Sequence, residues 1–236
     1  MKKLLLTILL TAILPVSAKT ITATSWLVAK ENGEIIQGEN INEVRSIASI
    51  SKLMTVMIVL DADQNPNTQI KGYSRQERIM LALVKSDNNS AALLCDYYPG
   101  GKDACVRAMN EKAVAIYMTN TKFVEATGLS VFNTSTAKDL INLVQAASHY
   151  PVIAEAAKTS TIKIRSKKRW FFAHNTNPII GRNHNFLVSK TGYIHASGGC
   201  IVMMLDTELG RRIVVVLGSK NTHTRIPEAE FIAESY

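Results

Sequence analysis

The 236-residue chain predicts an α+β fold: an antiparallel sheet built from both ends of the sequence, flanked by helices, with an all-helical lobe inserted between. Three observations carry that prediction. Strand-like segments occur near the N-terminus and again after Ser160, everything between them reads as helix, and no repeat, low-complexity tract or linker divides the chain. Residues 19–236 therefore suit one globular unit with two lobes, a sheet lobe of about 19–48 and 150–236 and a helical lobe of about 53–149.

In chain order, Met1-Lys2-Lys3 followed by the apolar run Leu4 to Val16 has the form of an export signal. Val16-Ser17-Ala18 is a small-residue cleavage site, so residues 1–18 read as a signal peptide removed on export to the periplasm. The run is too short, and interrupted by Pro15, to favour a spanning helix. Ser25 to Lys30, a turn at Asn32-Gly33 and Glu34-Ile35-Ile36 predict a hairpin. Lys52 to Leu60 is apolar almost all round, the signature of a buried helix. Arg75 to Lys85 carries a long apolar stripe, a second run begins at Ser90, and Asp103–Tyr117 and Thr136–Ala147 complete the helical middle. Strands return at about Thr161–Arg165, Lys190–Leu205 and Arg212–Leu217, and a helix closes the chain at about Pro227–Glu234.

Three short motifs stand in one order along these elements: Ser49-Ile50-Ser51-Lys52, Ser86-Asp87-Asn88 and Lys190-Thr191-Gly192. They supply a nucleophile with a nearby amine, a second hydroxyl, and a cationic anchor for a carboxylate. Ser-x-x-Lys occurs three times, and local pattern separates the copies. Ser160 and Lys163 lie in an alternating stretch, where an odd separation sends side chains to opposite faces. Ser135 and Thr136 precede a helical run and read as capping residues. Ser49 and Lys52 sit one turn apart near the start of the buried helix, where desolvation should lower the lysine's pKa. Ser86-Asp87-Asn88 falls at a helix–helix corner, and Gly192 opens room for close approach of a backbone or substrate.

The stretch Arg45 to Thr55 resembles the active-site segment of low-molecular-mass penicillin-binding proteins, the D-alanyl-D-alanine carboxypeptidases and endopeptidases. Tyr98-Pro99-Gly100-Gly101, Glu125-Ala126-Thr127-Gly128-Leu129, Asn175-Thr176-Asn177 and Ser189 to His195 extend the resemblance from about Trp26 to about Ser219. Asp87 and the last string are most similar to the soluble endopeptidase branch. The resemblance implies a β-lactamase/transpeptidase-like fold and a serine peptidase acting on D-alanyl bonds of peptidoglycan, with β-lactams as covalent inhibitors. It implies Ser49 as nucleophile, Lys52 as base, Ser86 as proton relay and Asn88 as orienting group. Lys190 and Thr191 would hold a substrate carboxylate, and the N–H groups of Ser49 and Tyr193, beside Gly192, would form an oxyanion hole. One departure is that only 37 residues separate Ser49 from Ser86, where the family usually has a longer connection. Terminal D-alanine trimming is the alternative to cross-link cleavage. A β-lactamase is disfavoured, because Glu125 to Leu129 does not have the Glu-x-x-Leu-Asn pattern, and a pure binding module would need neither Ser49 nor Lys52.

Composition restricts the partners. Lys2 and Lys3 contribute two of the net +8 charge, and the rest is spread along the chain. The densest run, Lys167-Lys168-Arg169 beside Trp170-Phe171-Phe172, reads as a solvated turn followed by core aromatics, and no nucleic-acid motif accompanies it. The five histidines show no metal-ligand spacing, so neither metal nor cofactor is expected. Cys95 and Cys105 bracket a short turn and form a candidate disulfide, leaving Cys200 buried in a strand. No extension follows the closing helix, so no stable membrane anchor is expected.

Overall fold

The computed structural model describes residues 20–166, 169–182 and 184–236. The signal-like segment 1–18 and the Lys167-Lys168 pair lie outside the described residues.

The chain enters through β1 (Ser25–Lys30) and β2 (Ile35–Glu39), a hairpin whose turn places Gly33 at φ +87°, a conformation glycine adopts without steric cost. A short strand β3 (Arg45–Ser46) and a 3-10 turn (Ala48–Ile50) lead into α1 (Ser51–Asp61). Every α1 residue from Ser51 to Val59 is buried, as an all-round apolar helix requires. The ministrands β4 (Gln69–Ile70) and β5 (Tyr73–Ser74) introduce α2 (Arg75–Val84), which starts at a reciprocal capping box between Ser74 and Glu77. The helices α3 (Asn88–Asp96) and α4 (Gly101–Ala115) follow. Cys95 on α3 and Cys105 on α4 are joined in a disulfide with their Cα atoms 5.4 Å apart, and Cys200 is free and buried.

Strand β6 (Thr134–Ser135) pairs with β3, and α5 (Ala137–Ser148) and α6 (Pro151–Lys158) close the helical middle. Thr136 is the cap of α5, accepting from Asp139 N, whereas Ser135 lies in β6 with its hydroxyl 2.7 Å from that of Thr121. Ser135 is therefore not a cap, because strand pairing to Arg45 claims its backbone. A separate hairpin, β7 (Thr161–Ser166) and β8 (Arg169–His174), precedes β9 (Phe186–Ile194), β10 (Gly198–Thr207) and β11 (Gly210–Ser219). The single segment expected over Lys190–Leu205 is thus two strands. Ser197 N donates to Ile194 O and Ser197 Oγ accepts from Ile194 N, folding the chain back on itself. The closing helix is α7 (Arg225–Ser235).

The main sheet runs β2-β1-β11-β10-β9 and is antiparallel throughout. Its central strands are apolar on both faces because both are covered. Leu27, Ala29, Val202, Met204, Ile213, Val215 and Leu217 join the core that contains α1 and α5. Trp26, Val28, Ile201, Met203, Val214 and Val216 pack on the other side against Ile226, Ala229, Ile232 and Ala233 of α7. Each fully buried Val, Leu, Ile or Met contributes about 1.5–3 kcal/mol, and the sheet so held sets the edge strand β9 beside the 3-10 turn. That edge is where the Lys190 motif meets the Ser49 turn.

Candidate active site

Ser49 occupies the 3-10 turn, and Lys52 lies one turn further on in the first turn of α1. The residue before Ser49, Ala48, has φ +48°, an uncommon left-handed conformation for a residue with a Cβ. Backbone outliers of this kind cost roughly 1–3 kcal/mol and persist only where the surroundings impose them. Here the surroundings are two glycines. A Cβ on Gly128 (φ +80°) would fall 2.0 Å from Ala48 O, and one on Gly192 would fall 3.0 Å from Ser49 N. Both neighbouring backbones therefore press directly on the Ser49 turn.

The Lys52 side chain is fully buried and its Nζ has three partners: Ser49 Oγ at 2.7 Å, Asn88 Oδ1 at 2.8 Å and Thr127 O at 2.5 Å. Burial lowers its pKa to about 8, partly offset by the carboxylates of Glu125 and Asp87. Two of the partners are carbonyl oxygens, which only accept, while the hydroxyl can donate. Nζ donates to all three, Ser49 Oγ included, and loss of one proton near pH 8 leaves a lone pair within reach of that hydroxyl.

Asn88 and Ser86 come from the corner between α2 and α3. Asp87 caps α3, accepting from Ser90 N at 2.7 Å, and Ser86 adopts φ +59°. This twist carries Ser86 Oγ to Lys190 Nζ, 2.8 Å away on β9. Lys190 is buried and also donates to Thr191 O, and desolvation, with the Lys52 and Arg225 cations, holds its pKa well below the ordinary lysine value. Thr191 Oγ1 donates to Thr176 Oγ1 at 2.6 Å, and Asn177 Nδ2 donates to Ser189 Oγ at 3.0 Å. Tyr193 follows on the same strand, opposite Gly199, with its ring about half exposed. Ser49, Lys52, Ser86, Asn88, Lys190, Thr191 and Gly192 thus converge from three parts of the chain. Ser160 stands just before β7 and does not join them.

Two supporting residues, Arg225 and Asn133, were not singled out from the sequence, and Glu125 acts within its own loop. Arg225 Nη1 donates to Gly192 O at 2.6 Å from behind the sheet. Asn133, wholly buried, accepts from Val124 N and donates to Ser51 Oγ and Glu125 O, tying the loop bearing Thr127 to α1. Glu125 spends its carboxylate inside that loop, accepting from Thr127 N and Gly128 N at 2.6 Å each. No local signal marks Arg225 or Asn133, since each acts on residues far away in sequence. Elsewhere, His184 faces Glu230 and Glu234 of α7 at 3.6 and 3.4 Å, and these donors lie within 4.8 Å of one another. They belong to the α7 side of the sheet, away from Ser49.

Comparison with known proteins agrees with this geometry. The family model described as D-alanyl-D-alanine carboxypeptidase matches residues 13–72 and 66–221, most of the chain. The chain belongs to this family. It is a serine DD-peptidase of the low-molecular-mass penicillin-binding class. It is 36% identical over 231 residues to a D-alanyl-D-alanine endopeptidase of Escherichia coli, covering 88% of this chain and 74% of the relative. It is 34% identical over 239 residues to a D-alanyl-D-alanine endopeptidase of Pseudomonas aeruginosa, covering 92% and 77%. A penicillin-binding protein of Listeria monocytogenes in its cefotaxime-bound form superposes with a TM-score of 0.79 at 25% identity, covering 91% of this chain and 96% of that one. A Streptomyces DD-transpeptidase has the same fold, with a TM-score of 0.82 at 21% identity and coverage of 92% and 97%. The expected β-lactamase/transpeptidase-like class is therefore the fold observed.

Proposed function

We propose that this DD-peptidase is a periplasmic enzyme that cuts peptide cross-links of peptidoglycan through an acyl-enzyme on Ser49. The observation that carries the chemistry is the 2.7 Å contact between Ser49 Oγ and an amine whose pKa burial has lowered to about 8. Ser49 Oγ attacks the D-alanyl carbonyl carbon as its proton passes to Lys52 Nζ, and the carbonyl electron pair moves to oxygen. The N–H groups of Ser49 and Tyr193 receive that oxyanion, and one such donor is typically worth about 3–4 kcal/mol. The C–N bond then breaks, the leaving amine taking a proton relayed through Ser86, and water hydrolyses the ester. Lys190 and Thr191, at the end of the cleft, hold the substrate carboxylate. Asn88 keeps Lys52 in place.

The cross-link reading is supported by two relatives above 30% identity that are D-alanyl-D-alanine endopeptidases. β-Lactams would acylate the same serine, as the cefotaxime-bound and ampicillin-bound relatives suggest. Export rests on the charged and apolar pattern of residues 1–18. No helix among the described residues is long and apolar enough to cross a membrane.

The test is digestion of purified muropeptides with mass-spectrometric reading of products. Cross-linked dimers should be converted to monomers faster than D-alanine is released from monomeric pentapeptide. Ser49→Ala should abolish both cleavage and covalent labelling by a fluorescent penicillin, whereas Ser135→Ala and Ser160→Ala should retain them. Free D-alanine with intact dimers would make the enzyme a carboxypeptidase.

A further inference from the structure

The hairpin β7–β8 stands apart from the main sheet as its own two-stranded unit. Its register pairs Thr161 with His174, Lys163 with Phe172, and Arg165 with Trp170. Burial alternates from Thr161 to Arg165 and from Trp170 to His174. Ile164 and Ala173 are buried against Leu81 of α2, with Ile162, Phe171 and Tyr73 packed around them. The expected core aromatics are therefore only partly so. Phe171 turns inward, but Trp170 is 56% exposed and Phe172 60% exposed, because alternate residues of a strand point to opposite faces.

The outer face carries both rings together with the cations that pair with them. Lys163 Nζ lies 4.7 Å from the Trp170 ring centre and 6.0 Å from that of Phe172, and the Arg165 guanidinium lies 5.9 Å from Trp170. Two large rings are left largely in water, and among the described residues their only ring contacts on this face are with the two cations. Among the described residues from Thr161 to His174, Lys163, Arg165 and Arg169 are exposed cations, and no Asp or Glu occurs. The surface is thus aromatic and purely cationic, which favours a partner with both apolar faces and negative charge.

Its location narrows that partner further. Strand β8 runs into Asn175-Thr176, and Thr176 Oγ1 accepts from Thr191 Oγ1 at the cleft. At the other edge Lys85, the neighbour of Ser86, lies over the Phe171 ring at 5.9 Å. The hairpin therefore rises from the rim of the cleft that holds Ser86 and Thr191.

We infer that the outer face of the β7–β8 hairpin is a binding platform for the polymeric strand of peptidoglycan, a glycan whose attached peptides carry free carboxylates. Trp170 and Phe172, about 7 Å apart along the strand, stack on the C–H faces of successive sugars through the negative faces of their rings. Lys163 and Arg165 pair with the carboxylates. The inference rests on the DD-peptidase reading for its choice of polymer, and on the hairpin alone for the existence of the site.

The test separates the two. A Ser49→Ala background, which leaves the polymer undigested, is co-sedimented with purified insoluble sacculi and, in parallel, with phosphatidylglycerol vesicles. Adding Trp170→Ala and Phe172→Ala should weaken binding to sacculi at least tenfold, while Trp170→Tyr with Phe172→Tyr should largely retain it. In the Ser49 protein, the double alanine variant should cut soluble cross-linked dimers at the parental rate but digest sacculi several-fold more slowly. Unchanged sedimentation with sacculi would overturn the proposal, as would a loss confined to the vesicles, which would make the hairpin a lipid contact. Hairpin-dependent binding to sacculi by a protein that cuts no soluble dimer would keep the platform and remove the cross-link reading.

Discussion

Lys190 Nζ donates to Ser86 Oγ at 2.8 Å, joining residues 104 positions apart across the cleft. Ser86 thereby meets the buried lysine of β9 from the same corner that supplies Asn88, whose amide oxygen holds the buried lysine of α1. Two amines in one water-poor cleft repel when both are charged, and this contributes to the lowering of the Lys190 pKa. A hydroxyl in contact with one of them can pass a proton without itself becoming charged. Ser86→Ala should slow acylation by penicillin about 100-fold, the lower range for loss of a general acid–base group. Stopped-flow labelling would measure this, and a near-parental rate would remove Ser86 from the proton path.

The Lys52 amine, with its pKa near 8, makes the rate depend on pH in a defined direction. Only the neutral amine can take the Ser49 proton, so the acylation rate should rise about tenfold per pH unit below about 8 and level off above it. Lys52→Arg keeps a cation that does not deprotonate and should lose at least 100-fold at every pH. Stability shifts in the same sense. The unfolded chain holds this proton up to about 10.5 and the folded one only to about 8, so stability should increase as pH rises between these values. A pH-independent acylation rate between 6 and 9 would place the base elsewhere.

Gly128 is irreplaceable for a reason visible in its contacts. An added methyl would meet Ala48 O at 2.0 Å in a backbone already at φ +80°. Gly128→Ala should therefore displace the Ser49 turn, slowing acylation at least tenfold and costing about 2 kcal/mol or more of stability. Gly72 is the matched control, since φ there is +88° but nothing lies within 4 Å of the added carbon. Gly72→Ala should cost about 1 kcal/mol from backbone strain and leave acylation unchanged. Equal effects at both sites would show that the Ala48 contact is unimportant.

The Cys95–Cys105 disulfide closes a short loop between α3 and α4. The unreduced protein should be two hydrogens lighter than its sequence mass, with Cys200 unreactive to thiol reagents until unfolding, since burial also raises its pKa. The Cys95→Ser, Cys105→Ser double variant should lose roughly 2–3 kcal/mol by the chain-entropy model, readable as a lower urea midpoint. Two free thiols in the exported protein would refute the bridge.

By itself the sequence determined what depends on neighbours along the chain. The all-apolar run after Lys52 specified a buried helix, and the three-residue spacing put Ser49 and Lys52 on one face of its start. The alternation through Thr161–Arg165 specified a strand, which kept Ser160 and Lys163 apart. The same alternation governs Trp170-Phe171-Phe172, where three adjacent rings read as core although a strand can bury only every second one. Only the tertiary structure decided which distant groups meet. The sheet order carries β9 to the edge beside the 3-10 turn, bringing Lys190 to Ser86 and Gly192 against Ser49. It also sets Arg225 behind Gly192 and Asn133 beneath the Thr127 loop. Helical and strand periods are imposed by local backbone sterics and so appear in short windows of sequence. Contacts between elements depend on how whole apolar faces pack, and no local spacing records that outcome.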